Sequence, residues 1–101
     1  PTLIFDEIDT GVSGDVALKM GNILHHLANR HQVVSITHTP QIAVKADAHY
    51  FVYKKIKEDR TVTSVKLLKT EERIKAVATM LSGSPPSDSA IENAKELLKL
   101  S

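Results

Sequence analysis

The sequence predicts an α/β fold, and three observations carry that expectation. Two short apolar runs, Leu3 to Phe5 and Val33 to Ile36, lie about thirty residues apart, each ending in polar residues. Between them runs a helical stripe, so the unit reads strand–helix–strand, the layout of a parallel pair joined by a right-handed crossover. Two further strand-like runs around the polar turn 57–60 read as a hairpin. The 101 residues allow at most one domain, and the 42% hydrophobic content is ordinary for a folded chain. Net charge is +1 and cysteine is absent, so overall balance announces neither nucleic acid nor membrane, and no disulfide or thiolate metal site can form. No apolar run approaches the roughly 18 residues of a membrane span.

The first element, residues 2–6, has apolar side chains on both faces and reads as a buried strand. Thr10-Gly11-Val12-Ser13-Gly14 reads as a turn. Ser13 is the expected cap of a helix running to about Arg30, with Asp15 adding a favourable charge in its first turn. Val16, Met20, Ile23, Leu24 and Leu27 form its expected apolar face. Gln32 to Thr37 is the second strand. Thr39-Pro40 then starts a short helix, with Thr39 as cap and Ile42, Ala43 and Ala46 turned inward.

His49 to Lys55 and Thr61 to Leu68 are the hairpin strands. Lys54, Lys55, Lys57, Arg60, Lys66 and Lys69 cluster on them; alternation is expected to split these cations between faces and Glu58, Asp59, Glu71 and Glu72 to dilute them, which favours a solvated hairpin over a weak phosphate-backbone contact. Thr70 is expected to cap a helix with the stripe Ile74, Val77, Ala78 and Leu81, ended by Gly83. Ser84-Pro85-Pro86 reads as a short rigid linker. Ser89-x-x-Glu92 reads as a capping box opening a last helix, with Ile91, Ala94, Leu97 and Leu98 apolar.

In open α/β sheets ligands sit beyond the carboxyl ends of the strands. Here those ends carry Asp6-Glu7 and Thr37-His38, which the crossover brings to one edge. Adjacent acids at such an edge suit metal-assisted phosphate chemistry: one carboxylate holds Mg²⁺, directly or through water, and the other takes a proton from an attacking water. His38 on the same edge can donate to a phosphate oxygen. Asp9 is either a metal or water contact or a turn former bonded to nearby backbone N–H groups. His25 and His26 point about 100° apart on their helix and make no two-ligand face. His31 and His49 have no ligating neighbour at suitable spacing.

These motifs resemble a known family. Leu3-Ile4-Phe5-Asp6-Glu7 resembles the Walker B strand of ABC-type ATPases, Thr10-Gly11-Val12-Ser13 stands where their D-loop lies, and Thr37-His38 resembles the H-loop histidine. The stretches D-E-I-D-T-G-V-S-G and S-I-T-H-T-P-Q-I-A, with R-I-K-A-V-A-T-M-L-S-G downstream, are similar to the RecN family of bacterial DNA double-strand-break repair proteins, relatives of the SMC (structural maintenance of chromosomes) ATPases. The resemblance covers essentially the whole chain.

It implies that residues 1–101 are a single partial domain, the C-terminal part of an ABC/SMC-like P-loop NTPase head, with parallel core strands, a hairpin and two C-terminal helices. It implies ATP and Mg²⁺ as cofactors. Asp6 would coordinate Mg²⁺, Glu7 would be the general base, and His38 would contact the γ-phosphate. Thr10, Gly11, Val12 and Ser13 would lie at a head–head interface between two ATP sites. Many ABC proteins have Asp as the last D-loop residue; here it is Ser13.

No G-x-x-x-x-G-K-[ST] is present. Leu81-Ser82-Gly83 is followed by Ser84 and falls on the wrong side of Walker B to be a signature motif. The implied partners are therefore the N-terminal half of the same head, a second head in a homodimer, and DNA through the intact protein, with no membrane. The implied place is the bacterial cytoplasm, associated with the nucleoid. The isolated fragment is expected to be inactive. The residues alone leave two other readings: a Mg²⁺-dependent nuclease or topoisomerase-type fragment, which also places acids after a strand, and a non-catalytic interaction module.

Overall fold

The computed structural model describes residues 1–99, which form four strands and four helices in the order β1 (Thr2–Asp6), α1 (Gly14–Leu27), β2 (Gln32–Ile36), α2 (Pro40–Ala43), β3 (Tyr50–Lys57), β4 (Arg60–Leu67), α3 (Thr70–Ser82) and α4 (Asp88–Lys99). The α/β architecture, with a parallel pair, a hairpin and two C-terminal helices, is the one expected. β1 and β2 pair in parallel in the register Ile4↔Val34 and Asp6↔Ile36. β3 and β4 pair antiparallel and form a separate two-stranded sheet. Their turn is the two residues Glu58 and Asp59, both at positive φ (50° and 63°), the backbone of a tight hairpin turn whose twist matches the strands.

The core lies between α3 and α4. Val77, Ala78, Ala90 and Ala94 are buried together with Val44, and Ile74, Leu81, Ile91, Leu97 and Leu98 pack around them. The expected stripes of both helices are therefore the packed ones, because apolar residues at i, i+3 and i+4 share a helix face. On α4 the fully packed positions are the small residues Ala90 and Ala94. Gly83 closes α3 at φ +89°.

Five expectations are corrected. β1 and β2 are not buried: Ile4 is 68% exposed, and Val34 and Ile36 on the same face are also exposed, while Leu3, Phe5 and Val33 are half-buried. On α1 the buried positions are Ala17, Gly21 and Leu24, with Val16 and Ile23 exposed. Gly21 sits where α1 meets α2: a Cβ there would fall 2.9 Å from the Gln41 carbonyl oxygen, so the contact selects the smallest residue. On α2 the buried residues are Ile42, Ala43 and then Val44, not Ala46.

The last two corrections concern caps. α3 is capped one residue earlier than expected: Lys69 N donates to Glu72 Oε1 at 3.1 Å. α4 starts at Asp88, and Ser87 rather than Ser89 accepts from the backbone, with Ala90 N donating to its Oγ at 3.1 Å.

Arg73 of α3 fastens α2 in place. Its Nη2 donates to the carbonyls of Ala43 (3.0 Å), at the end of α2, and Ala46 (2.7 Å), in the turn that follows it. No helix among the described residues is long and apolar enough to cross a membrane.

Candidate functional site

Asp6 is the last residue of β1, and Glu7 leaves the strand at φ 49°, the left-handed region that costs a non-glycine residue about 1–2 kcal/mol. Local bonds hold it there. Glu7 N donates to Ile36 O at 2.8 Å, extending the parallel ladder by one rung, and Thr10 Oγ1 donates to Glu7 O at 2.9 Å. A residue held in a sparsely populated conformation at the end of a strand marks a place where side-chain direction matters. The reversal at Glu7 lets two consecutive acids both occupy the strand end.

The parallel register brings the end of β2 to the same edge. His38 Nδ1 lies 3.8 Å from Glu7 Oε1, beyond hydrogen-bond reach, with both side chains largely exposed. Asp6, Glu7 and His38 thus share one edge of the β1–β2 sheet, open to a ligand. At that exposure the Glu7–His38 pair adds little to stability.

Asp9 combines a bond within its own turn with a longer reach to the β2–α2 loop. It is 3% exposed, and its Oδ2 accepts from the hydroxyls of both Thr37 and Thr39, the residues flanking His38. Thr39 N in turn donates to Thr37 Oγ1 at 3.0 Å. The hydroxyl bonds run to the β2–α2 loop, and Asp9's own backbone N–H adds a local bond to the carboxylate, as expected of a turn former. Thr39, expected as a helix cap, spends its hydroxyl on Asp9 and makes no side-chain cap bond. Burial raises the Asp9 carboxyl, but the Thr37 and Thr39 hydrogen bonds, a bond from its own backbone N–H and nearby His38 outweigh it and hold the group below its ordinary range. The histidine is therefore carried on a loop clamped at both sides to the chain segment that bears Glu7. The signal in the sequence was the pair of hydroxyls in Thr37-His38-Thr39, legible only with the knowledge that Asp9 lies opposite.

Thr10, Gly11, Val12 and Ser13 follow as an exposed loop, with Gly11 at φ +79°. Nothing lies within 4 Å of a Cβ placed on Gly11, so conformation and not space calls for glycine there. Ser13 is the α1 cap as expected, accepting from Val16 N at 3.4 Å. His25 Nδ1 contacts Lys45 O at 3.1 Å, a packing role between α1 and the end of α2.

Mg²⁺ binding by proteins commonly uses one or two carboxylates, with phosphate oxygens and water completing six positions. The donor set here fits that partial role: Asp6 is an exposed carboxylate beside a second one, and no group of three ligating side chains gathers among the described residues.

Comparison with known proteins agrees with the fold. A structure solved in work on ATP-driven dimerization and DNA-stimulated activation of SMC ATPases superimposes on 81% of this chain and 48% of its own, with a TM-score of 0.64 at 18% identity. The fold is that of part of an SMC-type ATPase head. In sequence the chain is 44% identical over 98 residues to the DNA repair protein RecN of Deinococcus radiodurans, 43% identical over 98 residues to that of Bacillus subtilis, and 46% identical over 100 residues to that of Rickettsia conorii. These alignments cover 97–99% of the chain, which spans only 17–18% of the length of these curated relatives. No family model matches the chain. The chain belongs to the RecN family, matching one segment of its members.

Proposed function

We propose that this segment supplies the Walker B acids, the D-loop and the H-loop of an ATP-hydrolysing head that acts in DNA double-strand-break repair. The observation that supports the reading most directly is the meeting of Asp6, Glu7 and His38 at one sheet edge, in a sequence 41–46% identical to RecN proteins. Asp6 would hold Mg²⁺, which when bound neutralises charge on the phosphates. Glu7, turned by its left-handed backbone away from the strand, accepts a proton from the attacking water. His38 donates a hydrogen bond to the terminal phosphate and fixes its position. Thr10 to Ser13 form an exposed loop suited to contact a second head. The P-loop half of the head and that second head complete the site, and the intact protein engages DNA.

Glu7→Gln in the intact parent protein tests this, because it keeps shape and removes the base. ATP binding should persist while turnover falls by about 10²–10⁴-fold. A loss of less than about fivefold would remove Glu7 from the role of base.

A further inference from the structure

The hairpin carries a feature the ATPase reading does not use. β3 and β4 together hold five cations and no carboxylate, in a chain whose whole balance is only +1. The expected split between faces occurs, but it is four to one among the strand cations. Cross-strand partners share a face, and the register pairs Lys57 with Arg60, Lys55 with Val62, Tyr53 with Ser64 and Phe51 with Lys66. Lys55, Lys57, Arg60 and Lys66 therefore share one face with Phe51 and Tyr53. Lys54 alone lies on the other, among Tyr50, Val52, Ile56, Val65 and Leu67.

Two of the hairpin's three aromatic rings, Phe51 and Tyr53, sit on the cationic face, with Tyr50 on the apolar one. Phe51 and Tyr53 stack with centroids 5.8 Å apart and planes 17° from parallel, and Phe51 is 49% exposed. Lys66 is held by Glu72 of α3, leaving Lys55, Lys57 and Arg60 as the outward cations. Lys55 and Lys57, two residues apart on one strand, are separated by about 7 Å, within reach of successive phosphates for side chains of that length. The acids Glu58 and Asp59 lie in the turn, beyond the last cross-strand pair.

We propose that this face binds single-stranded nucleic acid, with Lys55, Lys57 and Arg60 on the phosphates and the Phe51–Tyr53 pair as a stacking surface for a base. The proposal rests on the DNA-repair reading for its biological setting but not on the ATPase site. Cations tracking a backbone beside an exposed ring, here Phe51 backed by the half-buried Tyr53, are the chemistry of sequence-tolerant single-strand binding.

The test is fluorescence anisotropy on the intact parent protein without nucleotide, using a labelled oligothymidylate of about 20 nucleotides and a duplex of the same length. Lys55→Gln/Lys57→Gln/Arg60→Gln should weaken oligothymidylate binding at least tenfold. It should also flatten the slope of log K against log salt by about 2, three phosphates at about 0.7 each. Phe51→Ala should cost about fivefold or more, and Lys54→Gln, on the opposite face, should cost nothing measurable. ATP hydrolysis without DNA should be unchanged in all of these variants, so a failed ATPase reading and a failed hairpin reading give different results. Three outcomes overturn the proposal: Lys54→Gln weakening binding as much as the triple variant, duplex bound more tightly than the single strand, or the triple variant losing affinity for phosphatidylserine vesicles and not for DNA.

Discussion

The carboxylate of Asp9 accepts a hydrogen bond from the hydroxyl of Thr39, thirty residues away, and so ties the segment after β1 to the start of α2. Its second bond, from Thr37, closes a clamp around His38. Two loops that each carry one polar group of the site are thereby a single mechanical unit.

Asp9→Asn in the intact parent should separate positioning from chemistry. The side chain keeps its size but loses its charge, so both hydroxyl bonds weaken, each charge-assisted bond being worth about 1.5–3 kcal/mol against about 1 for a neutral one. We expect kcat to fall while KM for ATP stays nearly constant, with Asp9→Glu failing to restore it because the longer side chain does not fit the buried position. An unchanged kcat in a folded Asp9→Asn protein would show that the clamp has no bearing on His38.

Acid should loosen the fold through two groups, in separate windows. Burial, with the Arg73 guanidinium in second place, holds His49 below its ordinary 6.5. The unfolded chain therefore takes up this proton first, and stability falls as pH drops below about 6.5 towards the lower folded value. Asp9 is held below its ordinary 3.8, so its contribution is present above that value and is lost as pH falls further, through the lower folded value. Thermal melts of His49→Gln should show a flatter profile between neutral and mildly acid pH, with the lower step intact. Parallel profiles for the parent and His49→Gln would contradict the burial of His49 as the cause.

Gly21→Ala should destabilise the α1–α2 contact although alanine is the better helix former. The added methyl would meet the Gln41 carbonyl at 2.9 Å and Lys45 Cγ at 3.2 Å, and backbone cannot move aside as a flexible side chain can. Overpacking costs about 1–3 kcal/mol, against about 1 kcal/mol gained in helix propensity. A net loss of about 1 kcal/mol in urea unfolding is expected. Gly14→Ala, whose Cβ would meet only the end of the Gln41 side chain at 3.5 Å, serves as the comparison and should lose nothing.

Periodicity made the elements legible. Alternating and apolar runs marked all four strands, and the i, i+3, i+4 pattern of Ile74, Val77, Ala78 and Leu81 marked the packed face of α3 correctly. Caps were less legible, because Lys69 and Ser87 act one or two residues away from the better-looking Thr70 and Ser89, and backbone geometry decides between them. Burial failed where pattern was read as depth: Ile4 and Val34 are apolar and yet face outward in this segment. The turn role of Asp9 was legible, but its threonine partners were not, because they lie 28 and 30 residues downstream. The hairpin's charged face was hidden only by counting cations without register, since Lys55 and Lys57 share a parity that Lys54 does not.

The purified 101-residue chain should self-associate. β1 and β2 form a two-stranded sheet, so each has one unpaired edge, and one face of that sheet presents Ile4, Val34 and Ile36 to solvent. The hairpin adds a second such face, with Ile56 82% exposed and Tyr50, Val52, Val65 and Leu67 each more than half exposed. Unpaired strand edges beside contiguous apolar surface are two established routes to pairing between copies. Burying such a face in a second copy gains about 25 cal/mol per Å² of apolar surface, which offsets the cost of association once several large side chains are covered. Light scattering across a concentration series should show mass rising with concentration. Ile4→Lys and Ile56→Lys together should move the chain towards monomer, since each puts a charge in the face that would be buried. A strict monomer at every concentration would mean that these faces are stable in water and that neither edge recruits a partner.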